Sequence, residues 1–433
     1  VFFEGHGAHL YLQGVGRRQR QMGIRDRVLA AACADARFAA KRILFVVPDA
    51  TRSCPLPFLF RSIVAELAPR GAKLAFLAAL GTHPVPPDEE LWRWFGLSPA
   101  ERAGPYRDIA IHAHDWRDPA TFTPVGTLPA GRIAELTGGR FSMDVRVTIN
   151  RLVFEHDLVV LLGPVFPHEV VGFSGGHKYL FPGVAEREFI NFFHWLGAII
   201  TNPRINGVRD TPVRRLIEEA AAFVKAPRYG ICLVNKEADV HAVFCGHVPE
   251  AWNAAAEASA AVHIIRLPRP FQSVLACAPA MYDDLWVAGK CMYKLEGVVA
   301  DGGELIVYAP HVKEISYSHG KILDEIGYHV RDYFLAQWDR FKDYPWGVIA
   351  HSTHVRGVGT YERGVEAPRI RVTLATGIPE ARCRKVGLGY RDPRTIDPLE
   401  WTGREAEGRF LVPHAGETLY RLADPPDWAR ADY

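Results

Sequence analysis

The chain has 433 residues, 48% of them hydrophobic and 23% charged, which is the composition of an ordinary globular protein with room for more than one domain. Lys and Arg (51) nearly balance Asp and Glu (49), so no strong field draws the protein to nucleic acid or to an anionic membrane, and small-molecule chemistry is favoured. Seven cysteines without a C-x-x-C pair argue against a disulfide framework or a thiolate zinc site, and no apolar run reaches the roughly 20 residues of a membrane span. The segment Val1 to Arg20 does not resemble a secretory signal, so a cytoplasmic protein is expected.

Ile43 to Val47 reads as a buried strand, Leu59 to Leu67 as a helix and Leu74 to Leu77 as a second strand, an alternation that predicts an α/β fold. Leu158 to Leu162 and Ile231 to Val234 read as further strands, with a helix over Val213 to Phe223 between them. Polar residues follow the strand ends: Asp49, Thr51 and Arg52 after the first, Gly81-Thr82-His83 after the second, and Gly163 to His168 after the third. Open parallel sheets bind ligands at the carboxyl ends of their strands, so these three loops are expected to converge on one crevice. His112, His114 and Asp115 resemble a metal cluster in composition but are read as structural.

An Ala-rich helix over Glu250 to Ala261 leads to Leu267-Pro268-Arg269-Pro270, a boundary signal. Two α/β domains are therefore expected, residues 1–265 and 266–400, with the active site in the cleft between them and a tail, 401–433, packing back on the first. In the second domain Ser273 to Ala278 reads as a strand, Leu285 to Val298 as a helix, Gly302-Gly303 as a turn and Leu305 to Tyr308 as a strand. Gly347 to Ala350 reads as a strand that ends beside His351 and His354, two histidines that could add polar groups to a substrate pocket.

The densest chemistry lies in HEVVGFSGGHKYLFPGVAEREFINFFH, His168 to His194. Ser174-Gly175-Gly176 is a turn whose glycines would let backbone N–H groups approach a bulky anion, and Lys178 follows it. An aromatic-rich helix from Glu188 to Leu196 carries His194. Taken singly, His194 is either a hydrogen-bonded core histidine or a metal ligand, Lys178 a surface lysine, and Arg52 a loop cap or ion-pair partner.

In combination, Asp49-Ala50-Thr51-Arg52, Gly81-Thr82-His83, the run Gly163 to His194 and Trp286-x-x-x-Lys290 resemble the nickel-dependent lactate racemase family, which carries a nickel-pincer nucleotide. The resemblance covers most of the chain. It implies that Lys178 is the lysine joined covalently to the cofactor and that His194 is the protein nitrogen completing nickel coordination. It implies that His83 and His168 are the acid/base pair, and that Arg52 and Lys290 hold the substrate carboxylate with Trp286 beside them. Asp49, Thr51, Ser174, Gly175 and Gly176 are implied to line the cofactor. The expected activity is racemisation or epimerisation of a 2-hydroxy acid by hydride transfer through a 2-keto acid. The expected partners are the small-molecule substrate and the cofactor-synthesis enzymes. Lactate-acting members tend to have Tyr-Gln where this chain has Trp286-Val287, which points to a larger or sugar-derived acid. The rival readings are a conventional metal-dependent hydrolase or lyase using His83, His168 and His194 as ligands, and a non-catalytic protein that binds the pincer nucleotide.

Overall fold

The computed structural model describes residues 29–39, 41–50, 53–236 and 239–431. It is a mixed α/β structure built on two sheets. The first has six strands in the order Asp239–Gly246, Arg228–Lys236, Leu158–Pro164, Arg42–Pro48, Lys73–Ala79, Ala110–Ala113. All neighbours pair in parallel except the edge strand Asp239–Gly246. The central strands carry uninterrupted apolar runs because both their faces are covered. Leu44, Val46, Ala75 and Leu77 face one core, and Ile43, Phe45, Val47 and Phe76 the other.

The chain runs outward from Arg42–Pro48 to Ala110–Ala113, then returns to lay Leu158–Pro164 on the opposite side of Arg42–Pro48. The strand order therefore reverses between these two strands, and outside the carboxyl ends of such strands is where open α/β sheets bind their ligands. Asp49 follows one of them, and Pro167–His168 lies just beyond the other.

The second sheet has five parallel strands in the order Gly389–Tyr390, Arg371–Thr376, Val299–Ala309, Phe271–Cys277, Arg409–Val412. The helix Arg187–Ile200 joins the two halves. Phe189, Phe192, Phe193 and Leu196 belong to a core of the first sheet, while Trp195, Ala198 and Ile199 belong to the main core of the second. It packs along the helix Trp346–Arg356, where Gly347 N–H donates to Asn191 Oδ1 at 3.3 Å. Among the described residues no helix is long and apolar enough to cross a membrane.

Several expectations are corrected. Gly347 to Ala350 is not a strand but the first turns of the helix Trp346–Arg356, so His351 and His354 sit three residues apart on one helix. Leu285 to Val298 is not one helix: it breaks into Leu285–Ala288, Lys290–Tyr293 and a 3-10 turn, Glu296–Val298. Gly302-Gly303 lies inside the long strand Val299–Ala309 rather than in a turn ahead of it. The tail does both things at once: Arg409–Val412 extends the second sheet, while Leu419–Leu422 pairs with Ile264–Leu267 and Arg421 donates to Asn206 O.

Candidate active site

The loops at the strand-order reversal are tied to one another. Gly81 N–H donates to Gly183 O at 3.0 Å, and Gly183 N–H to Lys178 O at 3.1 Å, so the loop bearing His83 is bonded to the loop bearing Lys178. Asp49 Oδ2 lies 2.5 Å from His83 Nδ1. The carboxylate accepts, so Nδ1 carries the proton and Nε2 the lone pair. Asp49 is 9% exposed whereas the His83 side chain is 49% open, so a buried anchor orients an accessible imidazole. Thr51 and Arg52 lie outside the described residues.

His168 is buried and is held the opposite way. Its Nδ1 accepts from Val170 N–H at 3.1 Å, so the neutral ring carries its proton on Nε2, with Glu169 Oε2 3.5 Å from Nδ1. The two neutral imidazoles thus hold their protons on opposite nitrogens, Nδ1 on His83 and Nε2 on His168. Lys294 donates to Pro167 O, immediately before His168, and anchors this strand from the second half of the chain. Nothing in the sequence marked Lys294, because its partner is a carbonyl brought near only by the tertiary fold.

The Ser174-Gly175-Gly176 turn has a packing explanation. Ser174 Oγ donates to Pro164 O at 3.2 Å and accepts from Phe166 N–H at 2.9 Å. Gly175 (φ 79°) and Gly176 (φ 59°) are left-handed, and a Cβ on them would stand 2.6 Å from Val165 Cγ2 and 2.9 Å from the Trp252 ring. The space the missing Cβ atoms vacate is filled by this protein's own side chains, and the turn sets the path of the chain into Lys178. Behind it, His177 Nδ1 meets Glu218 Oε2 at 2.5 Å, and the buried Arg214 guanidinium stacks 3.8 Å over the Trp252 ring.

His194 Nδ1 lies 2.7 Å from Ile190 O, one turn back in its own helix. A carbonyl can only accept, so the lone pair is on Nε2. Burial, with the charge of Lys178 and the nearby His83 as lesser causes, pulls the imidazole down from 6.5 to about 4. The ring is therefore a neutral donor at ordinary pH, the form a metal requires. Lys178, His83 and Glu169 all lie close enough to act on it electrostatically.

The second half brings aromatic and imidazole groups to these loops. Asp284 caps the short helix Leu285–Ala288 through Val287 N–H at 2.9 Å and fixes Trp286 at its start. Trp286 stacks on His351 with ring centres 4.1 Å apart and planes 11° from parallel, and on its other flank meets His319 at 4.6 Å. Lys290 lies 5.1 Å over the Tyr282 ring. His319 feels the charge of His83, and His354 that of Glu169 and His194, so groups of both halves share one electrostatic neighbourhood. His112 is not part of it, and His114 is buried between Ala185 O and the Asn150 amide, each at 3.1 Å. Among the described residues no three His, Cys, Asp or Glu side chains are placed to hold a metal ion together. His83, His168 and His194 accordingly do not form the ligand cage that a conventional metallohydrolase needs.

Imidazoles at the parallel-sheet reversal, on the helix Arg187–Ile200 and in the second α/β half thus act on one another electrostatically, with Lys178 and Glu169 among them. Residues 23–206 match the family described as the lactate racemase N-terminal domain. The lactate racemase of Thermoanaerobacterium thermosaccharolyticum is 25% identical over 286 residues, 65% of this chain and 61% of that protein. The lactate racemase of Lactiplantibacillus plantarum is 29% identical over 166 residues, 37% of this chain and 34% of that protein, so both matches span less than two thirds of the relative. Among solved structures, a Thermotoga maritima protein is 33% identical with a TM-score of 0.83, covering 95% of this chain and all of that one. The lactate racemase apoprotein from Thermoanaerobacterium thermosaccharolyticum shares the fold at 19% identity and a TM-score of 0.72, over 92% of each chain. The chain thus carries the lactate racemase N-terminal domain over residues 23–206 and shares the fold of a lactate racemase.

Proposed function

We propose that the protein is a racemase or epimerase of a 2-hydroxy acid that works with a nickel-pincer nucleotide, on a substrate other than lactate, a larger or sugar-derived acid. The observation that supports this reading most is His194, neutral with its lone pair on Nε2 and close enough to Lys178 to feel its charge. Lys178 would hold the cofactor covalently and His194 would donate to its metal. When bound, the cofactor supplies a reversible acceptor for the substrate's α hydride, which avoids the poorly stabilised carbanion of direct deprotonation.

The chain's own groups then handle the proton and the carboxylate. His83, held by Asp49, takes the hydroxyl proton at Nε2 from one face. His168 would serve the other face in its doubly protonated form, with Glu169 Oε2 3.5 Å from Nδ1 as counter-charge: it delivers one proton and is left a neutral ring holding the other, and the reverse reaction takes the proton back. Arg52 and Lys290 would hold the carboxylate while the planar keto acid turns over, and Trp286 would bound the side chain. On this reading residues 1–265 carry the cofactor, residues 266–400 complete the substrate site, and the tail 401–433 packs back on the first domain. The partners are the 2-hydroxy acid and the cofactor-synthesis enzymes, in the cytoplasm.

The test is intact-mass spectrometry of protein produced together with those enzymes, followed by stereochemical assay on a panel of D- and L-2-hydroxy acids. The expected result is an adduct that Lys178→Ala abolishes and C2 inversion in which an α-deuterium label is retained. Wild-type protein without an adduct, or rapid uptake of solvent deuterium at C2, overturns the proposal.

A further inference from the structure

Two lysines stand one turn apart where the halves of the chain meet, and of these Lys290 alone enters the chemistry above. Lys294 N–H donates to Lys290 O at 3.1 Å, so both leave the same short turn. Lys294 is 4% exposed, and its ammonium donates to Pro167 O in the first half. That turn is itself pinned. Tyr293 O accepts from the Asn202 and Asn206 side-chain amides at 3.0 and 3.2 Å, and Lys294 O accepts at 2.9 Å from Tyr420 N–H in the strand Leu419–Leu422. Groups of the first half and of the tail thus fix the segment that carries both lysines.

The strand that Lys294 reaches is short: Pro167–His168 pairs with Gly172–Phe173 over two residues. Upstream of it, bonds within the first half hold the chain. Ser259 Oγ donates to Val165 O at 2.7 Å, Phe166 N–H to Ser174 Oγ at 2.9 Å and Ser174 N–H to Phe166 O at 2.8 Å. At Pro167, which has no N–H to give, the carbonyl immediately ahead of His168 is held from the second half by Lys294. An ionised donor bonds roughly twice as strongly as a neutral one. Burying an ammonium also costs desolvation that a neutral bridge would avoid, which points to a task beyond stability.

We propose that Lys294 is a positioning residue for the reaction: from the turn that bears Lys290 it sets the place of the His168 backbone, so that the imidazole and the substrate carboxylate keep one register. The proposal rests on the racemase or epimerase reading, which gives His168 and Lys290 their roles. A misplacement of about 1 Å costs a reaction roughly 10²-fold, so one hydrogen bond that ties the two groups together has kinetic weight.

The experiment compares the wild type with Lys294→Met, which keeps the length of the side chain but loses the donor, and Lys294→Arg, which keeps a charged donor. In cofactor-loaded protein, with kcat counted per adduct-bearing molecule by mass, Lys294→Met is expected to lower kcat for C2 inversion by about 30-fold and to change KM by less than about threefold, because Lys290 remains. Lys294→Arg is expected to recover most of the loss. In the full chain without cofactor, nitrogen-15 shifts of the His168 ring, assigned with H168Q, are read at about pH 8.5, above the ordinary imidazole range. They are expected to show the Nε2–H tautomer in the wild type and a mixture of tautomers in Lys294→Met, since the Val170 N–H bond to Nδ1 depends on where the strand lies. Should Lys294→Met not fold, Lys294→Gln takes its place with the same expectations. If neither folds, or if the variant that folds keeps the wild-type kcat and tautomer, Lys294 is a staple of the fold and the proposal is overturned; a change in KM alone overturns it as well. If the loaded wild type inverts no 2-hydroxy acid, the racemase reading falls, and the ring shifts still decide whether Lys294 places His168.

Discussion

The pairing of Asp49 with His83 shows how one contact sets a residue's chemistry. An imidazole on a loop can hold its proton on either nitrogen, and a base facing substrate must have its lone pair on the correct one. Asp49 Oδ2, 2.5 Å from Nδ1 and mostly buried, removes that freedom. It also stabilises the imidazolium formed when Nε2 takes a proton. Asp49→Ala leaves the loop bonded through Gly81 N–H to Gly183 O, so His83 stays in place but loses its fixed tautomer and counter-charge. The expected result is a kcat lower by roughly 10²-fold with KM little changed, read from steady-state inversion kinetics. A variant that loses KM rather than kcat would mean that Asp49 acts on binding. The sequence displayed both residues, each just past a strand end, and the resemblance implied that Asp49 lines the cofactor, but neither revealed that they touch. The contact between them needed the parallel pairing of Arg42–Pro48 with Lys73–Ala79, which brings the two loops side by side.

At the scale of elements, the helix Arg187–Ile200 decides where His194 stands, because it is buried on both sides. One side belongs to a core of the first sheet and the other to the core of the second, where Trp195 stacks on Trp338 at 5.2 Å with planes 6° apart. Gly197 sets how closely the helix approaches the segment after His168: a Cβ there would lie 2.7 Å from Val170 Cγ1 and 3.1 Å from Val170 backbone atoms. In an open helix Gly→Ala stabilises by about 1 kcal/mol. Here the added methyl meets backbone, and overpacking of this kind costs about 1 to 3 kcal/mol. Gly197→Ala is therefore expected to lower Tm by several degrees. A higher Tm in thermal unfolding would contradict the close approach. The same helix shows what the sequence could and could not convey. Its aromatic run and the fully buried strand Leu158–Pro164 were readable because apolar length and periodicity identify them directly. Trp346–Arg356 was not, because it is buried nearly all round, and its short apolar stretch Gly347 to Ala350 is as compatible with a strand. Gly289, between Leu285–Ala288 and Lys290–Tyr293, keeps helical angles (φ −53°, ψ −24°), and its missing Cβ leaves room for Tyr293 Oη, which would stand 2.8 Å from that atom.

Across the whole molecule, the same burial that keeps the site imidazoles neutral creates a liability in acid. His114, His194, His263, His351 and His354 are all pulled below the usual 6.5, His351 to about 3 and the others to about 4, with burial the leading cause in each. Unfolding frees these rings to take up protons near 6.5, so between about pH 6.5 and 4 the unfolded chain binds more protons than the folded one. Stability must then rise with pH through this window and fall on acidification, by about 1.4 kcal/mol for each pKa unit of each such group. Above pH 6.5 these rings are neutral in both states and contribute no slope. Thermal unfolding from pH 7.5 down to 4.5 is expected to show a nearly flat Tm at first and a steep decline below about 6.5. His114 offers a separate check, since it lies away from the proposed chemistry and its ring bonds Ala185 O and the Asn150 amide. H114Q keeps amide groups for both partners but cannot titrate, so its Tm should fall less steeply with acid than that of the wild type even if it starts lower. A Tm that holds level to pH 4.5 in the wild type would show that these imidazoles reach solvent protons without unfolding, and the neutral site inferred from their burial would have to be abandoned.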